Sequence, residues 1–245
     1  MKAIILAAGV GKRLWPVTQH RPKCLIELGG RSLLLRYCDA LAVVGIKQAV
    51  IVVGHKQEMI RAALESGYGG LEVRYLVNEQ YHRGSVSSLW LARTELDDDV
   101  LIMDADVLFH RQILQRLVQS ASPTALLLDE TVTQRTEECM AIVRGGRVVA
   151  LTKRMPADYD LVGEGVGFLK VRRADTAHLI ESLKAHVDLG QWEMEYEDAL
   201  LDFFTRVRVG YEKIGGLPWI EIDFPQDLQA AETEVLPRIQ RLGAD

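Results

Sequence analysis

The segment from Lys2 to Lys23 holds the residues whose types and spacing point most directly to chemistry. It reads KAIILAAGVGKRLWPVTQHRPK, an apolar run followed by a glycine-punctuated loop that carries the cations Lys12, Arg13 and Lys23. Glycines in the loop let the backbone approach a ligand closely, because glycine accepts positive φ without steric cost. Free backbone amides in such a loop bind anions, and the cations add positive charge. The segment therefore suits a nucleoside triphosphate.

Carboxylates follow two apolar runs far apart in the chain. The first run ends in Asp104 and Asp106, and the second passes through Glu221 to Asp223. Mg²⁺ binds phosphate oxygens together with one or two carboxylates, so a chain that handles a triphosphate needs such groups near its loop. The alternative is structural: Asp104 and Asp106 end a strand, and Asp223 caps a helix that begins near Gln226.

The elements that must position these residues follow from the hydrophobic pattern. Short Val-, Ile- and Leu-rich runs predict buried strands at Ala3–Leu6, Ala49–Val53, Val73–Val77, Val100–Met103 and Ala125–Leu128. Helical spacing predicts helices over Leu33–Val44 and Ile113–Gln119, with Ser32 as N-cap and Gly45 as C-cap of the first. This alternation predicts an α/β fold with a doubly wound, mostly parallel, Rossmann-like sheet whose ligands lie beyond the carboxyl ends of the strands.

The second half of the chain has a different pattern. Gly145-Gly146 separates two apolar runs and predicts a β-hairpin, with a further strand at Val166–Val171. Helices are expected over Trp192–Thr205 and Gln226–Leu242. We expect one domain over residues 1–245 with a small antiparallel appendage, in which residues 1–130 bind the nucleotide and residues 131–245 bind an acceptor.

The first loop resembles the signature of the nucleotidyltransferases that activate sugar phosphates and alcohol phosphates. That signature reads L-A-A-G-x-G-x-R-L-x-P-x-T followed by P-K, and this chain has Leu6 to Thr18 in that pattern, then Pro22-Lys23. No Gly-Lys-Ser/Thr follows the glycines and no third glycine completes a dinucleotide fingerprint, so neither of those motifs fits. Further segments, PKCL, NEQYHRGSVSSL, EYEDAL and WIEID, are most similar to the phosphocholine and inositol-phosphate cytidylyltransferase branch.

The resemblance implies a role for each matching residue. Arg13 and Lys23 would be the catalytic cations, and Asp106 and Asp223 would hold Mg²⁺. The nucleotide would contact Leu6, Ala8, Gly9, Gly11, Lys12, Asn78, Gly84 and Ser85. The acceptor would contact Asp104, Lys153, Trp192, Tyr196, Glu197, Asp198 and Glu221. Thr152 and Arg154 flank Lys153 where sugar-activating relatives more often read Glu-Lys-Pro, which disfavours a hexose.

These roles describe a Mg²⁺-dependent reaction of CTP with a small phosphorylated alcohol, giving a CDP-alcohol and pyrophosphate. Aromatic and acidic residues of the second half suggest phosphocholine, because aromatic faces favour a quaternary ammonium group. Core packing is the competing interpretation for Trp192, since large aromatic side chains usually bury. For Ser85, the alternative to nucleotide contact is a structural role as the N-cap of a helix. The competing functions are a sugar-1-phosphate nucleotidylyltransferase using another nucleotide, a nucleotide-sugar-dependent glycosyltransferase, and a silent nucleotide-binding scaffold.

Composition limits the partners. The 245 residues carry a formal net charge of −5, which argues against a nucleic-acid backbone as the main partner. No apolar run approaches the roughly 20 residues of a membrane span. The three cysteines are widely spaced and indicate neither a disulfide framework nor a zinc site. A cytoplasmic protein is therefore expected, and a homodimer stays open.

Overall fold

The architecture is a mixed β-sheet with helices on both faces. It comes from a computed structural model, which describes residues 1–65, 67–132 and 138–243. The strands are β1 (Lys2–Ala7), β2 (Glu27–Leu28), β3 (Arg31–Ser32), β4 (Gln48–Val53), β5 (Glu72–Val77), β6 (Val100–Asp104), β7 (Val107–Phe109), β8 (Ala125–Asp129), β9 (Met140–Arg144), β10 (Arg147–Thr152), β11 (Leu161–Val171), β12 (Gly210–Lys213) and β13 (Trp219–Glu221).

The helices lie mostly between the strands of the first half and cluster again in the second. They are α1 (Leu33–Val43), α2 (Gln57–Ala63), α3 (Val86–Leu91), α4 (Arg111–Gln119), α5 (Thr176–Asp188), α6 (Tyr196–Ala199), α7 (Leu201–Arg206), α8 (Pro225–Ala230) and α9 (Leu236–Arg241). A π-helical turn, Ala231–Val235, joins α8 to α9. Across the described ranges, no helix combines the length and the apolar composition that crossing a membrane requires.

The central sheet runs in the order β10-β9-β11-β6-β1-β4-β5, and β8 and β12 extend it beside β11. Strands β6, β1, β4 and β5 are parallel, whereas β11 is antiparallel to β6. Successive residues of a strand point to opposite faces. Accordingly Ile5 packs with α1 and α4 on one face, and Ile4 packs with α3, α5, α6 and α7 on the other.

A third apolar cluster joins the beginning of the chain to its last helices. Leu14 and Leu28 from the first segment pack with Ile222, Leu236 and Ile239 from the last one. Because side chains from both segments pack together in this cluster, the N-terminal loop is held beside the residues around position 223. The cluster therefore places the two halves of the predicted site next to each other.

The α/β fold with parallel core strands is confirmed, and the five strands predicted in the first half all form. Ser32 caps α1 as expected, accepting a hydrogen bond from the backbone N–H of Leu35 at 3.3 Å. The hairpin at Gly145-Gly146 forms too, as β9 and β10. The expected antiparallel part is continuous with the central sheet, because β11 joins β9 to it through β6.

The prediction of a helix from Trp192 was wrong, because helical structure begins at Tyr196. The preceding residues instead dock on the loop before α3, where the N–H of Gly84 donates to the carbonyl of Trp192 at 2.9 Å. A Cβ added at Gly84 would lie 2.0 Å from the carbonyl oxygen of Met194. Only glycine permits this approach, which one-dimensional periodicity does not reveal.

Candidate active site

A cavity of about 590 Å³ opens at the carboxyl ends of β1 and β6. Its wall includes most of the residues that the sequence singles out, namely Leu6, Ala8, Gly9, Gly11, Lys12, Arg13, Lys23, Ser85, Asp104, Asp106, Lys153, Tyr196, Glu197, Asp198, Glu221 and Asp223. The structure thus brings residues from both halves of the chain into one cleft, at the sheet edge where α/β domains bind ligands.

The N-terminal loop has a conformation that its residue types dictate. Gly11 has a φ of 65°, in the left-handed region that favours glycine. The hydroxyl of Thr18 donates to the carbonyl of Gly11 at 2.6 Å and closes the loop. Leu14 is fully buried in the third cluster and anchors the far side. The loop backbone and Arg13 are therefore held at the mouth of the cavity.

Lys23 lies between the two distant aspartates. Its Nζ is 2.7 Å from Oδ2 of Asp106 and 2.5 Å from Oδ1 of Asp223. Arg13 reaches the other oxygen of Asp223 at 3.3 Å. Burial alone would lower the pKa of Lys23, but Asp106 and Asp223 outweigh it and hold that pKa above its ordinary value. Lys23 therefore keeps its positive charge inside the cleft.

The two aspartates meet because of a short strand pair. Strand β13 is antiparallel to β7, with Glu221 opposite Val107. Beyond the pair, the N–H of Ile222 donates to the carbonyl of Asp106 at 3.0 Å. Asp223 does not cap the next helix, since Asp227 bonds the backbone N–H groups of residues 223 and 224. Its carboxylate instead faces the cleft.

Three carboxylates have the geometry of a hard-cation site. Oxygens of Asp106, Glu221 and Asp223 lie within 4.8 Å of one another, and Glu221 is the exposed member. Oδ1 of Asp106 is buried and accepts no hydrogen bond from any described residue. Mg²⁺ prefers oxygen ligands such as carboxylates. The unpartnered oxygen of Asp106 can therefore bind such an ion. The residues present therefore fit Mg²⁺, and Glu221 joins the predicted pair as a candidate ligand.

The acceptor half is organised around Asp104. The hydroxyl of Tyr196 donates to Oδ2 of Asp104 at 2.9 Å, and the N–H of Tyr196 donates to the Ser85 hydroxyl at 2.8 Å. A Cβ at Gly167 would lie 2.7 Å from the same Asp104 oxygen, so a glycine must stand opposite it. Burial, with Glu197 and Asp106 nearby, raises the pKa of Asp104 well above its usual range.

Three predicted site residues do not line the cavity. The amide nitrogen of Asn78 donates to the hydroxyls of Ser87 and Ser88, both at 3.0 Å, so Asn78 is held against the first turn of α3. Gly84 contacts the backbone of Met194. The Trp192 ring lies outside, with the Arg83 guanidinium 5.9 Å from its centroid.

Sequence reasoning left several wall residues unassigned. Tyr81 and His82 line the cavity, and both stand inside the NEQYHRGSVSSL segment, so the motif itself was the available signal. Glu195, by contrast, belongs to the acidic residues of the second half that suggest an acceptor pocket, and it lines the cavity. Cys139 and Gly167 had no signal, because strand pairing alone carries them to the wall.

Comparisons with known proteins show the family to which the chain belongs. The family model described as nucleotidyl transferase matches residues 2–138. A CMP-5'-(3-aminopropyl)phosphonate synthase from Streptomyces rubellomurinus is 36% identical over 127 residues, which are 51% of this chain and 20% of that protein. A choline-phosphate cytidylyltransferase from Streptococcus pneumoniae is 26% identical over 244 residues, 95% of this chain and 97% of that protein.

A solved structure shares the fold over nearly the whole chain. The CTP:phosphocholine cytidylyltransferase from Streptococcus pneumoniae has a TM-score of 0.75 at 24% identity, covering 94% of this chain and 97% of that one. The chain spans between about a fifth and about half of the length of three curated relatives that it matches. With the family model matching more than half of its residues, the chain belongs to the nucleotidyl transferase family.

Proposed function

We propose that this protein is a Mg²⁺-dependent cytidylyltransferase acting on a small phosphorylated alcohol. An oxygen of the acceptor phosphate attacks the α-phosphorus of CTP and forms a new P–O bond. The bond from that phosphorus to the bridging oxygen breaks, and pyrophosphate leaves with the electron pair. The observation that carries the proposal is Lys23 between Asp106 and Asp223, beside Arg13, in the wall of one cavity.

The chain's own residues contribute mainly positioning and charge, which dominate catalysis of phosphoryl-type transfers. Arg13 and Lys23 bind the triphosphate and stabilise the charge that develops on the leaving pyrophosphate. Asp106 and Asp223, with Glu221, would hold Mg²⁺, which when bound neutralises phosphate charge. No general base is needed, because a phosphate monoester is already ionised at neutral pH.

The nucleotide fits the half of the cavity formed by the N-terminal loop. Leu6, Ala8 and Gly9 offer backbone groups to the base, and Tyr81 and Ser85 lie in the same wall. The preference for CTP is supported by relatives, since one is named for a CMP-linked product and another for cytidylyl transfer. The acceptor then occupies the half around Lys153 and Tyr196. Phosphocholine is one member of the proposed acceptor class.

A matrix of pyrophosphate release tests this function. Each of the four nucleoside triphosphates is combined with phosphocholine, inositol phosphate, aminoethylphosphonate and sugar 1-phosphates. We expect release with CTP, only when Mg²⁺ and an alcohol-phosphate-type acceptor are both present. Release restricted to UTP or dTTP with a sugar 1-phosphate would replace this proposal with sugar activation. Absence of release from every pair would contradict nucleotidyl transfer altogether.

A further inference from the structure

The acceptor half of the cavity carries a surplus of carboxylates. Asp104, Glu195, Glu197 and Asp198 line it, and Lys153 is the cation that the described wall adds there. Lys12, Arg13 and Lys23 belong to the loop assigned to the triphosphate. An acceptor phosphate is itself anionic and requires Lys153. Among these groups Glu197 is partly buried, and a buried carboxylate without a partner is costly, so it suits a different, cationic part of the acceptor.

Glu197 marks the position of that cationic part. It is partly buried in the first turn of α6, and its Oε2 is fully covered yet accepts no hydrogen bond from any residue in the described ranges. Burial, with Glu195 and Asp198 nearby, raises the pKa of Glu197 to about 8. A buried acceptor left unsatisfied costs about 1–3 kcal/mol, more when charged. An N–H donor arriving with the substrate would remove this cost.

The cavity wall offers a quaternary ammonium group few aromatic faces, since Tyr81, Phe168 and Tyr196 supply the rings that the described residues place there. Neither Trp192 nor Trp219 lines the cavity as far as the described residues show, and the indole N–H of Trp219 donates to Asp129 at 2.8 Å. The Tyr196 hydroxyl is engaged by Asp104. The Phe168 ring packs edge-on against Tyr37 and Phe109 in the core. A trimethylammonium group needs aromatic faces and has no N–H to give Glu197.

We propose that the acceptor is an ω-aminoalkyl phosphate or phosphonate whose primary ammonium group donates to Glu197, with the carboxylate of Asp198 nearby. The inference rests on the proposed cytidylyl transfer and specifies its second substrate. The phosphate or phosphonate group faces Lys153 and the α-phosphorus, so the ammonium group positions the acceptor and is not consumed.

Matched acceptors with CTP and Mg²⁺ test the inference. Pyrophosphate release is measured with 2-aminoethyl phosphate against ethyl phosphate, with 2-aminoethylphosphonate against ethylphosphonate, and with phosphocholine as the trimethylated analogue. For at least one amine, we expect kcat/KM to be about 100-fold or more above the kcat/KM values of its neutral partner and of phosphocholine. The reason is that a site built around a hydrogen bond rejects analogues that lack it. The two amines distinguish a phosphate ester from a phosphonate.

Variants separate the role of Glu197 from the general acidity of the cleft. Glu197→Gln keeps the shape and removes the carboxyl group that can ionise beside an ammonium group, and we expect the preference for amine over neutral acceptor to fall to about 10-fold or less. Glu193→Gln is the control, because Glu193 lies on the same segment but outside the cavity wall, and it should keep the wild-type preference.

The possible outcomes test this inference separately from the proposed cytidylyl transfer on which it rests. Equal or better use of ethyl phosphate, ethylphosphonate or phosphocholine by the wild-type protein overturns the ammonium acceptor while cytidylyl transfer stands. No pyrophosphate with any acceptor and any nucleotide overturns both. The acceptor series needs no variant, so it decides the question even if Glu197→Gln fails to fold.

Discussion

Lys23 is the residue on which the proposed chemistry depends most. Its ammonium group bridges Asp106 and Asp223 in a cleft that is otherwise strongly acidic. A triphosphate would compete with these carboxylates for the same positive charge, and Mg²⁺ would compete with Lys23 for the carboxylates. The ion pairs thus keep the site assembled before substrates arrive, and they hold Lys23 where the phosphates would bind.

Replacing Lys23 with Ala should reduce kcat/KM for pyrophosphate release by about 10²–10³-fold, because charge that stabilises the transition state is lost. Steady-state kinetics measures the effect, with circular dichroism to confirm folding. Arg21→Ala removes an exposed cation of the same segment that does not line the cavity, and it should be near wild type. A well-folded Lys23→Ala protein with near-normal turnover would refute the role.

The carboxylate set makes a separate prediction about Mg²⁺. In the presence of CTP, Mg²⁺ should raise the melting temperature of the wild-type protein, because a ligand that binds only the folded state stabilises it. Asp106→Asn should lose most of that rise and about 10²–10³-fold in turnover. Asp97→Asn, an exposed carboxylate paired with Lys2, serves as the control and should keep the rise. An unchanged Mg²⁺ response in Asp106→Asn would remove Asp106 from the site.

At the scale of elements, the segment 191–195 and the loop before α3 act as one unit. Gly84 fits directly beneath the Met194 carbonyl, and α6, with Tyr196 and Glu197, starts immediately afterwards. The position of the acceptor carboxylates thus depends on a backbone contact about 110 residues away in sequence, as the Ser85–Tyr196 hydrogen bond shows.

Gly84→Ala should therefore damage both stability and acceptor binding. The added methyl group would overlap backbone, and overpacking of this kind costs about 1–3 kcal/mol. Urea unfolding gives the free energy, and KM for the acceptor should rise more than KM for CTP. Gly45→Ala adds a Cβ in open space at positive φ and should cost about 1 kcal/mol without changing either KM. An equally mild effect at Gly84 would contradict the docking described above.

Local pattern predicted much of this arrangement and missed identifiable parts. Strands β1 and β6 were predictable because short, continuous apolar runs bounded by Gly9 and Asp104 are typical of buried parallel strands. The motif placed Arg13 and Lys23 in the N-terminal loop. Periodicity could not show that Trp192 lies before the helix, because the apolar residues there have helical spacing. The conformation of Trp192 is set instead by its backbone hydrogen bond to Gly84. It also could not show Gly167 facing Asp104, because strand pairing creates that contact.

At the scale of the whole molecule, a partly buried carboxyl group makes the free energy of unfolding depend on pH. Glu164 on β11 is partly buried, and burial together with Glu138, Asp129 and Asp227 raises its pKa to about 7. The folded protein therefore binds this proton more tightly than the unfolded chain does. The stabilisation is complete below about pH 4.5 and is lost as pH rises through about 7.

Glu164→Gln should consequently flatten the decline in the free energy of unfolding between about pH 4.5 and pH 7. After allowance for partial exposure we expect a difference of about 1–2 kcal/mol in that decline. Urea unfolding at several pH values measures it. Glu58→Gln, an exposed position on α2, is the control. Parallel pH profiles for wild type and Glu164→Gln would show that Glu164 titrates normally.

The apolar cluster shared by Leu14, Leu28, Leu236 and Ile239 has a consequence for how the protein is made. A ribosome releases the N-terminal loop about two hundred residues before the loop's acidic partner at position 223 and its packing surface. Until then Lys23 has no Asp223 to bind, and residues 2–138 by themselves hold only part of the cleft. Competence for turnover thus requires synthesis at least through α9, whose side chains complete the cluster that holds the loop.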